Sequence, residues 1–503
     1  MSNHLFDALT AYIQDQEKTF LETADGECLT YRNMFARSAR YAGALHKLGV
    51  KPGDRVAAQV EKTSDALMLY LATIRAGAVF LPLNTAYTPT EIAYFVGDAE
   101  PSVFVCDPAN ADALAGTAQK AGARLQTMDA HGEGSLRNLA DSMPDQFDTR
   151  PRDADDLAAI LYTSGTTGRS KGAMLSHDNL SSNSRTMAAY WQFKDDDVLL
   201  HALPIFHTHG LFVATNCLMM AGGSMLFLPK FDLGDVIKLL PKATAMMGVP
   251  TFYTRLLNSE AFTGDLVKHM RVFISGSAPL SAEVHREFSI RTGHAILERY
   301  GMTETNMITS NPYDGDRRPG TVGFPLPGVG FRIVDAKTGR EVPQGEVGII
   351  EVKGPNVFHG YWRMPEKTAQ EFRSDGYFVT GDMGRIDEDG YISIVGRSKD
   401  LIISGGFNVY PAEVEALLDE LPGVAESAVI GVPHPDFGEA VVAVLALKEG
   451  ETFEPEIVQV SVADRLAKFK HPKMVHVQDA LPRNAMGKIQ KTVLRDQYKS
   501  DFS

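Results

Sequence analysis

Asp156 to Leu180 reads DLAAILYTSGTTGRSKGAMLSHDNL. The apolar core of Asp156 to Thr163 predicts a buried strand, and beyond the loop Ser176 or Asp178 stands where a helix entering SSNSRTMAAYWQF would be capped. Between them lies a loop leaving a strand. Glycines let such a backbone approach a ligand closely and turn its N–H groups toward one point, the hydroxyls add donors, and Lys171 adds a mobile charge. That chemistry suits a polyphosphate. The loop is not of the Walker type, in which the lysine follows a glycine and precedes a serine or threonine. Lys171 follows Ser170 and precedes Gly172.

Outward from this loop, apolar strand patterns alternate with helical ones. RVAAQV, SDALMLYLATIRAG and VFLPLN come in succession, and SVFVCD, AAILYT and RVFISG follow. Such alternation predicts parallel sheets covered by helices. From about Gly320 the texture changes to short strands with Gly, Pro and Asp-Gly turns, as in GEVGIIEVKGP and GYFVTGDMGRIDEDGYISIVGR, which predicts a β-rich subdomain. Past Gly396 enough chain remains for a small α+β domain. The expected fold is α/β: a large N-terminal domain of mixed and parallel sheets flanked by helices plus the β-rich subdomain, residues 1–398, then a small mobile α+β C-terminal domain, residues 399–503.

The 503 residues exceed the size at which one hydrophobic core stops growing. A formal charge of -14 argues against a general nucleic-acid binder, whose affinity rests on clustered Lys and Arg. Cys28, Cys106 and Cys217 are odd in number and far apart, which gives neither a disulfide framework nor a zinc spacing and fits a reducing cytoplasm. The start, MSNHLFDALTAYIQDQ, lacks the basic and apolar blocks of a signal peptide. The long apolar stretch from Leu211 to Leu228 is broken by Asn216 and Gly222-Gly223, so a buried helix, a turn and a strand are expected rather than a membrane span.

Further stretches carry unusual polar chemistry: LPIFHTHG with His207 and His209, FISGSAPLS with Ser275 to Ser277, ERYGMTET with Glu298 to Thr305, VTGDMG with Asp382, VGRSKDLIISGGFNVYP, and PRNAMGKIQK with Lys488. Singly, each has a plain structural explanation: a turn aspartate, a helix cap, a solvated lysine, loop histidines with satisfied polar atoms. Together and in this order, the phosphate loop, YGMTE, TGD, GRSKD and the terminal GK lysine resemble those of the adenylate-forming superfamily of acyl-CoA synthetases, luciferases and peptide-synthetase adenylation domains, over nearly the whole chain.

The resemblance implies ATP, Mg²⁺ and CoA, with a carboxylate attacking the α-phosphate and a thiol then cleaving the acyl-adenylate. It implies that Thr163, Ser164, Gly165, Thr166 and Thr167 with Lys171 hold the β- and γ-phosphates, Thr303 meets the α-phosphate and Glu304 binds the metal. Gly276, Ser277, Ala278, Glu298, Tyr300, Gly301 and Met302 complete the nucleotide site, Asp382 accepts the ribose hydroxyls and Arg397 lies beside it. Lys488 reaches the α-phosphate region, and with Thr303, Glu304 and His207 makes up the catalytic set. Lys399 is the hinge, and Gly405, Gly406 and Phe407 face CoA. An Ala485 stands where the family commonly has threonine, which bears on how Lys488 is positioned or recognised by a lysine acetyltransferase or deacetylase.

For the acid, PIFHTHGL, GVPTFYTR, SGSAPL and ERYGMTETNM together resemble the malonyl-CoA and methylmalonyl-CoA synthetase branch. That resemblance implies a small-molecule dicarboxylate whose second carboxylate meets Arg255, helped by Ser277 and His207, with Thr208 and Met307 limiting the C2 substituent. The alternatives are a short- or medium-chain monocarboxylate ligase, a luciferase-like oxygenase and a stand-alone adenylation domain. Against the last two stand the ending DFS and the roughly fifteen residues after Lys488, too few for a carrier domain. A serine hydrolase would need G-x-S-x-G, which flanks neither Ser164, Ser275 nor Ser277. No nucleic-acid or membrane partner is expected.

Overall fold

The computed structural model describes residues 2–163, 170–405, 407–454, 456–463, 465–484 and 487–502. Four sheets organise them. The first has six strands in the spatial order Arg124–Thr127, Val103–Cys106, Arg55–Gln59, Val79–Pro82, Leu157–Thr163 and Lys171–Ser176. Its pairings are parallel except the last, which is antiparallel. Strands such as VFLP and VFVC are buried along their whole length, as expected where helices cover both faces. The helix Ser64–Arg75 is buried on every side and is capped by the Thr63 hydroxyl.

The Lys171–Ser176 strand departs from the sequence expectation of a loop that runs directly to a helix. Lys171 pairs in register with Thr163, so the two strands return the chain across the phosphate loop. Loop residues Ser164 to Thr167 lie outside the described residues. Ser176 is the N-cap of the helix His177–Tyr190, in a reciprocal box with Asn179. Asp178 instead bonds His4 and Ser181.

A nine-stranded sheet stands beside the first, with a parallel centre in the order Ser224–Phe227, Val198–His201, Ala245–Gly248, Val272–Ser275 and Leu297–Met302. The register aligns Met247 with His201, Gly248 with Ser275, and Ser275 with Glu298. The carboxyl ends of these strands therefore form one rim, the usual place for a ligand crevice in an open α/β sheet. Across Leu211–Leu228 the expected helix, turn and strand are present: a π-helical stretch His209–Thr215 runs into the α-helix Asn216–Ala221, left-handed Gly222 (φ 71°) ends it, and Ser224–Phe227 follows. No helix among the described residues is long and apolar enough to cross a membrane.

Gly330–Val334, Gly348–Lys353, Phe378–Ile386 and Ile392–Arg397 form the antiparallel β-rich part. The next sheet begins at Ile402–Ser404, after a 3₁₀ turn Ser398–Asp400. Its long hairpin, Val424–His434 with Gly438–Leu447, buries a core of its own with the helices Pro411–Leu418 and Glu456–Ala463 on one face and Lys491–Tyr498 on the other.

Candidate active site

The rim of the nine-stranded sheet carries most of the polar groups singled out in the sequence. Strand alternation sends Glu298 and Arg299 to opposite sides. The Glu298 Oε1 accepts from Leu280 N–H at 3.2 Å, Oε2 has no partner among the described residues, and burial pushes the carboxyl pKa up to about 8. Arg299 is 3% exposed, and among the described residues its Nε and Nη2 have no hydrogen-bond partner. A Cβ on Gly276 would lie 2.3 Å from its Cζ, so only glycine lets the guanidinium rest against this backbone. Burial lowers the Arg299 pKa to about 9, with Tyr253 and Glu298 opposing.

Around this guanidinium stand the residues of the HTHG segment. The His209 N–H donates to His207 Nδ1 at 3.3 Å, and His209 Nδ1 lies 3.1 Å from Ser277 Oγ. His209 Nε2 and Thr208 Oγ1 are buried with no hydrogen-bond partner among the described residues. Burial, with Lys488 and Arg299 nearby, holds the His207 pKa down to about 3, so its ring is neutral. Because Nδ1 accepts, the ring proton is on Nε2. Ser277 adopts φ 72° just after the strand Val272–Ser275, a conformation unusual for a residue with a Cβ. Ala278 is half-buried behind it, and Met307 is buried with its backbone held on both sides by the Asn183 amide.

Arg255 does not join them. In the helix Pro250–Leu257 the buried residues are Tyr253, Leu256 and Leu257, and two residues on from Tyr253 is the opposite face. Arg255 is exposed, its guanidinium 5.9 Å from the Phe231 ring centre. Arg255, expected to meet a substrate carboxylate, thus lies apart from this cluster, and the guanidinium buried at the rim is that of Arg299. A signal for it was present, since an acid-base pair inside a buried strand is anomalous.

On the phosphate side, Glu304 is buried in the turn after Thr303, which is half-buried. Its Oε1 accepts from Tyr361 Oη at 3.0 Å and lies 3.5 Å from Thr163 Oγ1. Lys171 Nζ is 3.6 Å from Glu371 Oε1 and 4.1 Å above the Tyr361 ring centre. Gly301 lies so close to Asn306 that a Cβ would meet its carbonyl oxygen at 2.1 Å, and Met302 pairs with Asn306 across the hairpin.

Asp382 and Arg397 are cross-strand partners in the β-rich part, with Arg397 Nε 2.6 Å from Asp382 Oδ1. The Tyr300 hydroxyl donates to the other carboxylate oxygen. Lys488 remains open to solvent, yet protein crowds it: burial and Arg397 lower its pKa, against Asp382 and Glu304. Its N–H is held by Asn484 Oδ1 at 2.9 Å. Lys399 is exposed in the 3₁₀ turn, and Asp400 there pairs with Arg495. Gly405 has φ 59°, and exposed Phe407 stacks on Phe469. Gly406 and Ala485 lie outside the described residues.

Residues 10–362 match the AMP-binding enzyme family, and residues 413–488 match the AMP-binding enzyme C-terminal domain. The chain belongs to the AMP-binding enzyme family. Among relatives of this family, a protein named malonate–CoA ligase from Arabidopsis thaliana is 33% identical over 98% of this chain and 90% of its own length. A feruloyl-CoA synthase from Amycolatopsis is 36% identical over 94% of each. The crystal structure of ATP-bound MatB from Rhodopseudomonas palustris is 59% identical, covers all of both chains and superposes with a TM-score of 0.98. The two family matches together span the rim, the phosphate side and Lys488.

Proposed function

We propose that this chain joins malonate, and methylmalonate less strictly, to CoA through an acyl-adenylate, consuming ATP and releasing AMP and pyrophosphate. One observation carries the choice of acid: Arg299, buried with two donor nitrogens unpaired, beside His207, Ser277 and His209. A buried cation without a counter-ion costs free energy, and a substrate carboxylate would supply the missing partner. Percent identity to these two relatives does not by itself make this choice, since the feruloyl-CoA synthase is 36% identical and the malonate–CoA ligase 33%. An aryl or alkyl acid would leave the guanidinium bare.

With the distal carboxylate on Arg299, the reacting carboxylate falls toward Lys488, another cation of this cluster. One carboxylate oxygen attacks the α-phosphorus and the bond to pyrophosphate breaks. Both partners are anionic, so the enzyme's contribution is alignment and neutralisation. Lys488 serves the α-phosphate region, and Lys171 with Thr163 the outer phosphates. His207, neutral with its proton on Nε2, can donate to the acid without adding charge. Thr208 and Met307 bound the space beside it. Asp382, with Arg397 against one oxygen, takes the ribose hydroxyls as Tyr300 yields.

Glu304 is the residue that would hold Mg²⁺. A single carboxylate beside a polyphosphate suits this ion, which binds through one or two carboxylates plus phosphate oxygens, and its Oε1 already lies near Thr163. The ion would supply neutralisation of phosphate charge. In the second step the CoA thiolate attacks the acyl carbonyl and AMP leaves, with Gly405 and Phe407 facing the pantetheine. The cytoplasm is the compartment proposed, consistent with three free cysteines, and the solvent-accessible Lys488 is open to a lysine acetyltransferase.

The test is ATP-dependent thioester formation on acetate, malonate, methylmalonate, succinate and a medium-chain acid. Malonate should have the highest kcat/KM, with methylmalonate next. A preference for the medium-chain acid or acetate would overturn the assignment.

A further inference from the structure

Tyr361 touches both groups on the phosphate side, and no motif in the sequence marks it. Its hydroxyl donates to Glu304 Oε1 at 3.0 Å, and the face of its ring carries the Lys171 ammonium 4.1 Å from the ring centre. The ring itself is buried, edge-on to Phe358 at 4.8 Å.

The backbone around it is held as firmly. Residues 358–362 run along the strand Lys171–Ser176 on the side away from its hairpin partner, with an antiparallel bridge between Ala173 and Tyr361. Trp362 N–H donates to Gly172 O at 2.7 Å, Met174 N–H to Gly360 O at 3.0 Å and His359 N–H to Met174 O at 3.2 Å. Phe358 N–H donates to Glu304 O at 2.8 Å, so the same segment holds the carboxylate's own backbone. Tyr361 N–H is taken by Thr368 Oγ1 at 2.9 Å. Among the described residues, Lys171 otherwise leans on Glu371, at 3.6 Å, itself shared with Lys367, and Glu304 Oε1 otherwise lies 3.5 Å from Thr163 Oγ1.

We propose that Tyr361 is a positioning residue for the polyphosphate site, its hydroxyl aiming the Glu304 carboxylate at the metal that accompanies ATP and its ring face holding Lys171 at the phosphates. The two halves of the side chain act separately. Outer groups that orient a metal-binding carboxylate influence metal affinity, and a ring face attracts an ammonium through its quadrupole. Removing the hydroxyl alone should therefore disturb the metal, and removing the ring as well should disturb the phosphates. Glu371 then draws Lys171 away from the nucleotide. The inference rests on the ATP-ligase reading given above.

The experiment measures ATP binding by calorimetry, with Mg²⁺ and with EDTA, on the full-length wild type, Tyr361→Phe and Tyr361→Leu, and the Mg²⁺ dependence of the ligase rate at saturating ATP. Tyr361→Phe should raise the half-saturating Mg²⁺ concentration about tenfold, the lower end of what such outer-group substitutions cost, while leaving the Kd for metal-free ATP within twofold. Tyr361→Leu should show the same metal defect and in addition weaken metal-free ATP several-fold, as expected for loss of a partly buried cation–π contact. An unchanged Mg²⁺ dependence in Tyr361→Phe would overturn the proposal, and so would equal weakening of both binding modes in Tyr361→Phe with a lowered melting temperature, the mark of a purely structural role. Tyr361→Phe retains the ring in its core position, so it decides the matter even if Tyr361→Leu fails to fold. Failure of the wild type to bind ATP at all would instead strike at the ligase reading.

Discussion

Arg299 occupies a place where an apolar side chain would be more stable. Its cation is buried, two of its donors are unpaired, and its flanking glutamate faces the other way. Such a cost is characteristic of a group that waits for a ligand. Arg299→Met should leave the empty protein as stable as the wild type or more so, since replacing an uncompensated buried charge by an apolar chain of similar length is neutral or stabilising. It should cut malonate kcat/KM by about 10²-fold or more, as breaking a buried charge pair costs about 3–5 kcal/mol, while acetate use persists or rises. Arg255→Ala should change neither acid by more than about twofold, because exposed charges away from a site contribute little. The acid panel and a thermal melt check all of this; equal loss on acetate and malonate in Arg299→Met would show a general defect instead.

At the scale of elements, the stretch His209–Thr215 is the wall of the acid pocket in the reading proposed above. A π-helical turn admits one more residue per hydrogen-bonded ring than an α-helix and is frequent at functional sites. Here it begins at His209, and Gly210 at its start is pressed against the preceding loop: a Cβ there would stand 2.0 Å from Pro204 O. Buried His201, itself held by Lys62 Nζ at 3.0 Å, reaches Gly210 O at 2.9 Å from the end of the neighbouring strand. Gly210→Ala must therefore move either the loop or the turn, and should destabilise the protein by about 1–3 kcal/mol, the usual cost of overpacking. The KM for the acid should rise while the Kd for ATP stays unchanged, because the proposed phosphate-side residues Thr163, Lys171 and Glu304 lie on other elements. Denaturant melts and acid titrations measure the two effects; a neutral Gly210→Ala would mean that the turn is not rigid.

For the whole molecule, the question is how one cleft serves two steps. Lys488 stands among Asp382, Glu304, Arg299 and His207, whereas Phe407, in the same C-terminal part, lies exposed against Phe469. The chain passes into this part through the short turn at Ser398–Asp400. In the two-step reading proposed above, bringing Gly405 and Phe407 to the acyl group would require Lys488 to leave, by a rotation with Lys399 as its proposed hinge. Lys488→Ala should abolish malonate-dependent pyrophosphate exchange and leave thioester formation from prepared malonyl-adenylate largely intact. Lys399→Pro, which fixes φ, should do the reverse. Equal defects of Lys488→Ala in both half-reactions would mean that one arrangement serves both.

Local order was open to reading from the chain itself. Apolar runs such as VFLP and VFVC, the break at Gly222, the Gly-rich turns after Gly320 and the succession of polar motifs each depend on neighbours in sequence, so period, turn chemistry and spacing determine them. The outward face of Arg255 was equally legible, because Tyr253, Leu256 and Leu257 set the phase of that helix. The strand Lys171–Ser176 was not, since its pairing with Leu157–Thr163 spans a loop whose composition speaks for a ligand rather than for a hairpin. Which guanidinium lacks a partner, and which tyrosine joins Glu304 to Lys171, only the tertiary structure decided. Glu304 and Tyr361 are 57 residues apart, Gly276 follows the strand next to the one that carries Arg299, and burial or want of a partner belongs to the assembled neighbourhood, not to any stretch of sequence.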